Sequence, residues 1–166
     1  MTDKLHFIHT ECERAEPFHY TACGLDNVYL MSGYNVETFG GEQHVSVKDA
    51  DDLHQAIASF LVNGKKLLEG QEVRFLRKFL ALTQAMLGDA LGVSDQAVAR
   101  YEKDKSKFDG SSDILLRLYV KGKIEGSLDI AVEVETLRQS DGVSADDLCL
   151  QHEGDEWKVS PLARAA

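Results

Sequence analysis

Gln96 and Arg100 stand four residues apart in DQAVARYEK, about one turn of an α-helix, so their side chains project from one face. A Gln amide can pair bidentately with the edge of adenine and an Arg guanidinium with that of guanine. The chemistry suits reading bases in a groove. Such a pair reads anything only if a rigid element carries it, and the flanking residues must supply that element.

Ser94 is suited to cap this helix and Asp95 lies in its first turn, where a carboxylate complements the positive helix end. Ala97, Val98 and Tyr101 form its apolar side, leaving Gln96, Ala99, Arg100 and Lys103 outward. Upstream, Thr83 is a good cap for a helix starting at Gln84, with Met86, Leu87, Ala90 and Leu91 as its expected buried face. Gly92 follows at once, where a residue able to take positive φ ends a helix and turns the chain. Earlier still, Phe75, Leu76, Phe79 and Leu80 recur at helical spacing. Arg74, Arg77 and Lys78 fall mostly on the other faces of that helix, as solvated surface or as part of a basic patch.

LTQAMLGDALGVSDQAVARYEK is similar to the Cro/repressor type of helix-turn-helix, the XRE family, with its L-T-Q opening, L-G-V-S turn and R-Y-E ending. The resemblance implies a five-helix, sequence-specific binder of double-stranded DNA that works as a homodimer. It implies Gln84 as a phosphate contact and Asp95, Gln96, Ala99 and Arg100 as the groove-facing set. Thr83, Ser94, Lys103 and Lys105 complete the candidate DNA-binding residues. Where family members often carry Gly-X-X-X-Pro after the ending, this chain has Lys103, Asp104, Lys105, Ser106 and Lys107.

Charge by region agrees with this reading. The net charge of −10 would repel phosphates if spread evenly. Residues 71–107, however, hold 7 basic and 5 acidic side chains, whereas 1–70 hold 5 and 11, and 108–166 hold 6 and 12. Only the helix-turn-helix stretch is net basic.

The chain before residue 70 has a different pattern. Val28, Tyr29, Leu30, Tyr34, Val36 and Phe39 are β-branched, aromatic or aliphatic, and HVSV at 44–47 alternates, so two strands are expected with Gly40 and Gly41 turning between them. Leu53, Ala56, Ile57, Phe60 and Leu61 then mark a helix behind Asp49, Asp51 and Asp52. The expected fold is α+β. A small N-terminal β-sheet module with a helix (residues 1–66) precedes an all-α five-helix domain (67–140) and a C-terminal extension (141–166), with 63–70 as linker.

YTACGLDNVYLMSGY, Tyr20 to Tyr34, resembles the N-terminal region of regulators related to MqsA-type antitoxins, in which a zinc module with Cys-X-X-Cys pairs precedes an XRE domain. Here Tyr20 stands three before Cys23, and no Cys-X-X-Cys exists. Cys12, Cys23, His6, His9 and His19 lack the regular spacing of a four-ligand site, so no metal or cofactor is expected. The resemblance also implies an antitoxin role as the alternative. The acidic N-terminal half would then hold a basic protein toxin while the helical half autoregulates; the other roles open to that half are sensing a small-molecule effector and dimerisation alone.

Ile114, Leu115, Leu118 and Tyr119 predict a helix capped by Ser111 or Ser112, and Ser127 can cap another bearing Leu128, Ile130, Ala131, Val134 and Leu137. Leu148 to Leu150 and Glu156 to Val159 can form a hairpin around Glu153-Gly154-Asp155, with Trp157 as its large anchor. The last six residues are expected to fray. No phosphate-loop, nucleophile-elbow or zinc-protease motif occurs, so no enzymatic activity is expected. No run approaches the roughly 20 apolar residues of a membrane span, the N-terminus lacks a signal-peptide layout, and three irregularly spaced cysteines fit a reducing compartment, so the expected address is cytoplasmic.

Overall fold

The computed structural model describes residues 17–64, 67–126 and 147–160. In chain order come strands β1 (Phe18–His19), β2 (Val28–Leu30), β3 (Tyr34–Phe39) and β4 (Glu42–Val47), and helices α1 (Ala50–Gly64), α2 (Gly70–Phe79), α3 (Gln84–Leu91), α4 (Asp95–Tyr101) and α5 (Gly110–Glu125). Strands β5 (Leu148–Glu153) and β6 (Glu156–Val159) follow. This is an α+β fold. The further helix expected from Ser127, and the candidate ligands His6, His9 and Cys12, lie outside the described residues, as do the last six.

The β-rich stretch expected over Val28 to Phe39 divides at Met31–Gly33 into two strands that serve different sheets. β3 and β4 pair antiparallel from Tyr34↔Val47 to Phe39↔Glu42. Gly40 and Gly41 sit at φ 61° and 89°, the pair of positive values that a two-residue turn matching strand twist requires. β2 joins the larger sheet, ordered β1-β2-β5-β6.

The segment read as a C-terminal extension supplies half of that sheet. β5 runs parallel to β2, with Val28↔Leu148 and Leu30↔Leu150, and β6 folds back on β5 from Glu153↔Glu156 to Leu150↔Val159. Trp157 is buried, its indole Nε1 donating to Lys48 O at 3.0 Å and its backbone N to Asp52 Oδ2 at 2.8 Å. The hairpin is thereby pinned to the start of α1.

One hydrophobic cluster runs from Leu25, Val28, Leu30 and Leu150 through Leu53, Ile57 and Leu61 of α1 to Val73 and Leu76 of α2, Leu87 of α3, Val98 of α4 and Leu116 and Val120 of α5. Each such aliphatic side chain contributes about 1.5–3 kcal/mol by leaving water, so the cluster couples sheet and helices energetically. The two halves divided at residues 63–70 by sequence share it.

Two local expectations are corrected. The cap of α5 is Asp109, not Ser111 or Ser112. Its Oδ1 accepts from the backbone N–H of both serines at 3.1 and 3.0 Å, a reach that a carboxylate two or three residues upstream has and a serine already inside the helix lacks. Met86 is 50% exposed rather than buried, because the covered side of α3 is centred on Leu87, Gly88 and Leu91, and Met86 lies about a third of a turn away from it.

Candidate nucleic-acid interface

α3 and α4 are joined by a three-residue turn, Gly92–Ser94, whose geometry follows from local chemistry. Thr83 Oγ1 accepts from Met86 N at 3.1 Å and Ser94 Oγ from Ala97 N at 3.1 Å, so each hydroxyl satisfies one orphan N–H of its helix. Gly92 takes φ 73° as the C-cap of α3. Gly88 allows the helices to close: a Cβ there would lie 2.7 Å from Val93 O and 3.2 Å from Ser94 C, both backbone atoms.

On the outward side, Ser94, Asp95, Gln96 and Arg100 are exposed and Ala99 is half-buried. Gln96 and Arg100 share that side, one turn apart. Arg100 Nε donates to Ser106 Oγ at 3.1 Å, a single bond to an uncharged hydroxyl. Lys103 and Lys105 are exposed just beyond. Val98 is fully buried, and Tyr101 sets its ring edge-on to Phe108. In the loop after α4, Asp104 takes φ 53°, and its Oδ1 accepts from Gly70 N at 2.8 Å. That bond fastens the end of the α4 region to the start of α2.

A clamp that sequence reasoning missed holds the unit together. Glu102, whose side chain is 4% exposed, accepts from Arg77 Nε at Oε1, and from Arg77 Nη2 at 3.2 Å and Gln84 Nε2 at 2.8 Å at Oε2, while Arg77 Nη1 donates to Leu82 O at 2.8 Å. Arg77 is therefore not solvated surface. Gln84, the implied phosphate contact, has one amide proton committed to Glu102, and its backbone N–H stays at the exposed start of α3. The glutamate of the R-Y-E ending was the available signal, but nothing in spacing alone named partners 25 and 18 residues away.

The clamp also sharpens the surface charge. Within residues 71–107, Glu72 and Glu102 are withdrawn from solvent and Arg77 is spent on the latter, leaving Arg74, Lys78, Arg100, Lys103, Lys105 and Lys107 exposed against Asp89, Asp95 and Asp104.

Burial by itself would raise the Glu102 carboxyl. The hydrogen bonds from Arg77 and Gln84, with the charges of Arg77 and Arg74, outweigh it and hold the group below its ordinary 4.5. A carboxyl depressed in the folded state adds stability above its unfolded pKa and loses it as pH falls through the folded one. Glu102→Gln should therefore destabilise the chain at pH 7, and the gap from wild type should shrink steadily below about pH 4.5. Denaturant midpoints of both proteins across pH check this; a gap independent of pH would mean that the carboxylate charge is not what stabilises.

Among the described residues no group of three His, Cys, Asp or Glu is placed to hold a metal. His19 Nε2 donates to Asp26 O at 2.7 Å, and its ring stacks on Tyr29. Cys23 Sγ donates to Tyr20 O at 3.6 Å, and burial pushes its thiol up, away from the thiolate that metals bind. Tyr20 is hydrogen-bonded to His54 Nε2 at 3.1 Å, whose imidazole is pushed down by burial against the opposing charge of Asp51. The Tyr20–His54 bond ties the end of β1 to α1. Among the described residues no helix is long and apolar enough to cross a membrane.

Comparison with known proteins found no matching family model, no matching curated protein and no matching solved structure.

Proposed function

We propose that the chain is a sequence-specific DNA-binding transcriptional regulator of the XRE helix-turn-helix type, cytoplasmic, acting as a homodimer on a palindromic operator. The observation that carries this is the outward side of α4, where Gln96 and Arg100 stand exposed one turn apart on a helix capped by Ser94 and packed through Val98. In this reading α4 lies in the major groove, Gln96 and Arg100 meet base edges, and Ala99 lets the backbone approach. Thr83, the backbone N–H of Gln84 and the positive start of α3 face a phosphate, and Lys103 and Lys105 face the flanking backbone.

Selection of bound duplexes from a random pool tests the reading. The expected product is a two-fold symmetric motif whose half-sites lie about one helical turn apart. Affinity should fall linearly on a log scale with salt, each neutralised phosphate adding about −0.9 to the slope. No complex with any duplex at low salt would refute DNA binding.

A further inference from the structure

β3 and β4 form a ribbon that leaves the body of the protein. Only Tyr34 and Val47, at its base, are half-buried, whereas Phe39, Val36 and Val45 are 62%, 41% and 39% exposed. A two-stranded hairpin alone is at best marginally stable in water, and an uncovered strand edge is a template for another strand.

The hydrogen-bond phase of the ribbon is given by Lys48 N, which donates to Gly33 O at 2.8 Å. Bonded and non-bonded pairs alternate along an antiparallel ladder. With this register, Asn35–Ser46, Glu37–His44 and Phe39–Glu42 are bonded within the ribbon, so the N–H and C=O groups of Gln43, Val45 and Val47 face away from β3. None of these three carries a charge, the usual device by which an edge repels a neighbour.

We infer that this edge pairs with β4 of a second copy of the chain, antiparallel about a two-fold axis through Val45. That register sets Val45 opposite its own copy and Gln43 opposite the partner subunit's Val47, so every outward ladder group of the three residues is used. It also sets Glu42 opposite the partner subunit's Lys48, on one face and twice by symmetry, and both residues are exposed in the single chain. Val36 lies beside Val45 on the other face, giving an apolar stripe four strands wide. An axis through His44 faces two imidazoles and leaves Lys48 unpaired. The opposite edge, β3, contains Glu37 as its one charge, so no self-pairing within it joins opposite charges.

The role of this pairing, joining two reading heads, rests on the DNA-binding reading, but its evidence does not. Sedimentation equilibrium of the full chain without DNA tests it. Wild type should dimerise, and Val45→Lys, which opposes two ammonium groups at the axis, should weaken dimerisation about tenfold or more. Glu42→Lys and Lys48→Glu should each weaken it, and an equimolar mixture of the two should dimerise like wild type, since both cross-strand pairs are then opposite in sign. Circular dichroism checks that the variants are folded. A wild type that is monomeric at about 100 μM, a Val45→Lys dimer as tight as wild type, or a mixture no tighter than its components would overturn the inference. An intact dimer that enriches no duplex would instead sink the DNA-binding reading alone.

Discussion

Arg117→Met is expected to lower folding stability by about 3–5 kcal/mol, the range for removing one partner of a buried ion pair. The Arg117 side chain is 3% exposed and that of Asp113 is 7%. The guanidinium donates to Asp113 Oδ2 at 2.6 Å and Oδ1 at 3.3 Å, and to Leu61 O and Val62 O, both at 3.1 Å. Those two carbonyls belong to the last turn of α1, where intrahelical donors run out. Met keeps the stem of the side chain but leaves two carbonyls without their donor and a buried carboxylate whose counter-charge is gone, with Leu68 N still donating to its Oδ1 at 3.1 Å. Arg117→Lys should recover only part, because a point charge cannot span three acceptors at once. Arg117→Met with Asp113→Leu should recover part of the loss by removing the uncompensated charge, the remainder reflecting Leu68 N, which loses its acceptor, and the two α1 carbonyls. Urea midpoints of the four proteins decide this, and a loss under about 1 kcal/mol would mean that the carboxylate is hydrated in the variant.

The same bonds bear on where the chain divides. A fragment beginning at Leu67 lacks Leu61 and Val62, so α5 would present Arg117 with two of its acceptors gone. It is expected to be markedly less stable than the whole chain.

On DNA, Arg100→Ala should cost about 1–3 kcal/mol on the selected operator and relax preference at one base position, as expected for loss of a bidentate contact to guanine. Gln96→Ala should relax a neighbouring position. Affinity measured on the operator and on each of its single-base variants separates this from a phosphate contact, which would weaken all sequences equally and flatten the salt dependence by about one unit of slope. Uniform loss would move Arg100 from base reading to positioning. Neither variant should change stability greatly, since both side chains are exposed.

What the sequence by itself determined is local. Thr83 and Ser94 cap their helices, Gly92 ends α3, Gly40 and Gly41 turn the ribbon, and the β5–β6 hairpin closes around Gly154 and Asp155. Each depends on groups a few residues apart, so residue type and spacing define the geometry before any packing occurs. The α+β class and the exposed face bearing Gln96 and Arg100 were legible for the same reason, since periodicity separates covered from solvated positions. Partner choice was not legible. Ser32 and His152 are hydrogen-bonded 120 residues apart where β2 receives β5, Arg117 reaches α1 across 56 and 55 residues, and Glu102 finds Arg77 across 25. Many carboxylates, arginines and strands were eligible for those bonds by type. Only the closed chain, with its competing burial costs, selects among them, and so tertiary structure alone decided that Arg77 is clamp rather than surface and that the C-terminal hairpin completes the N-terminal sheet.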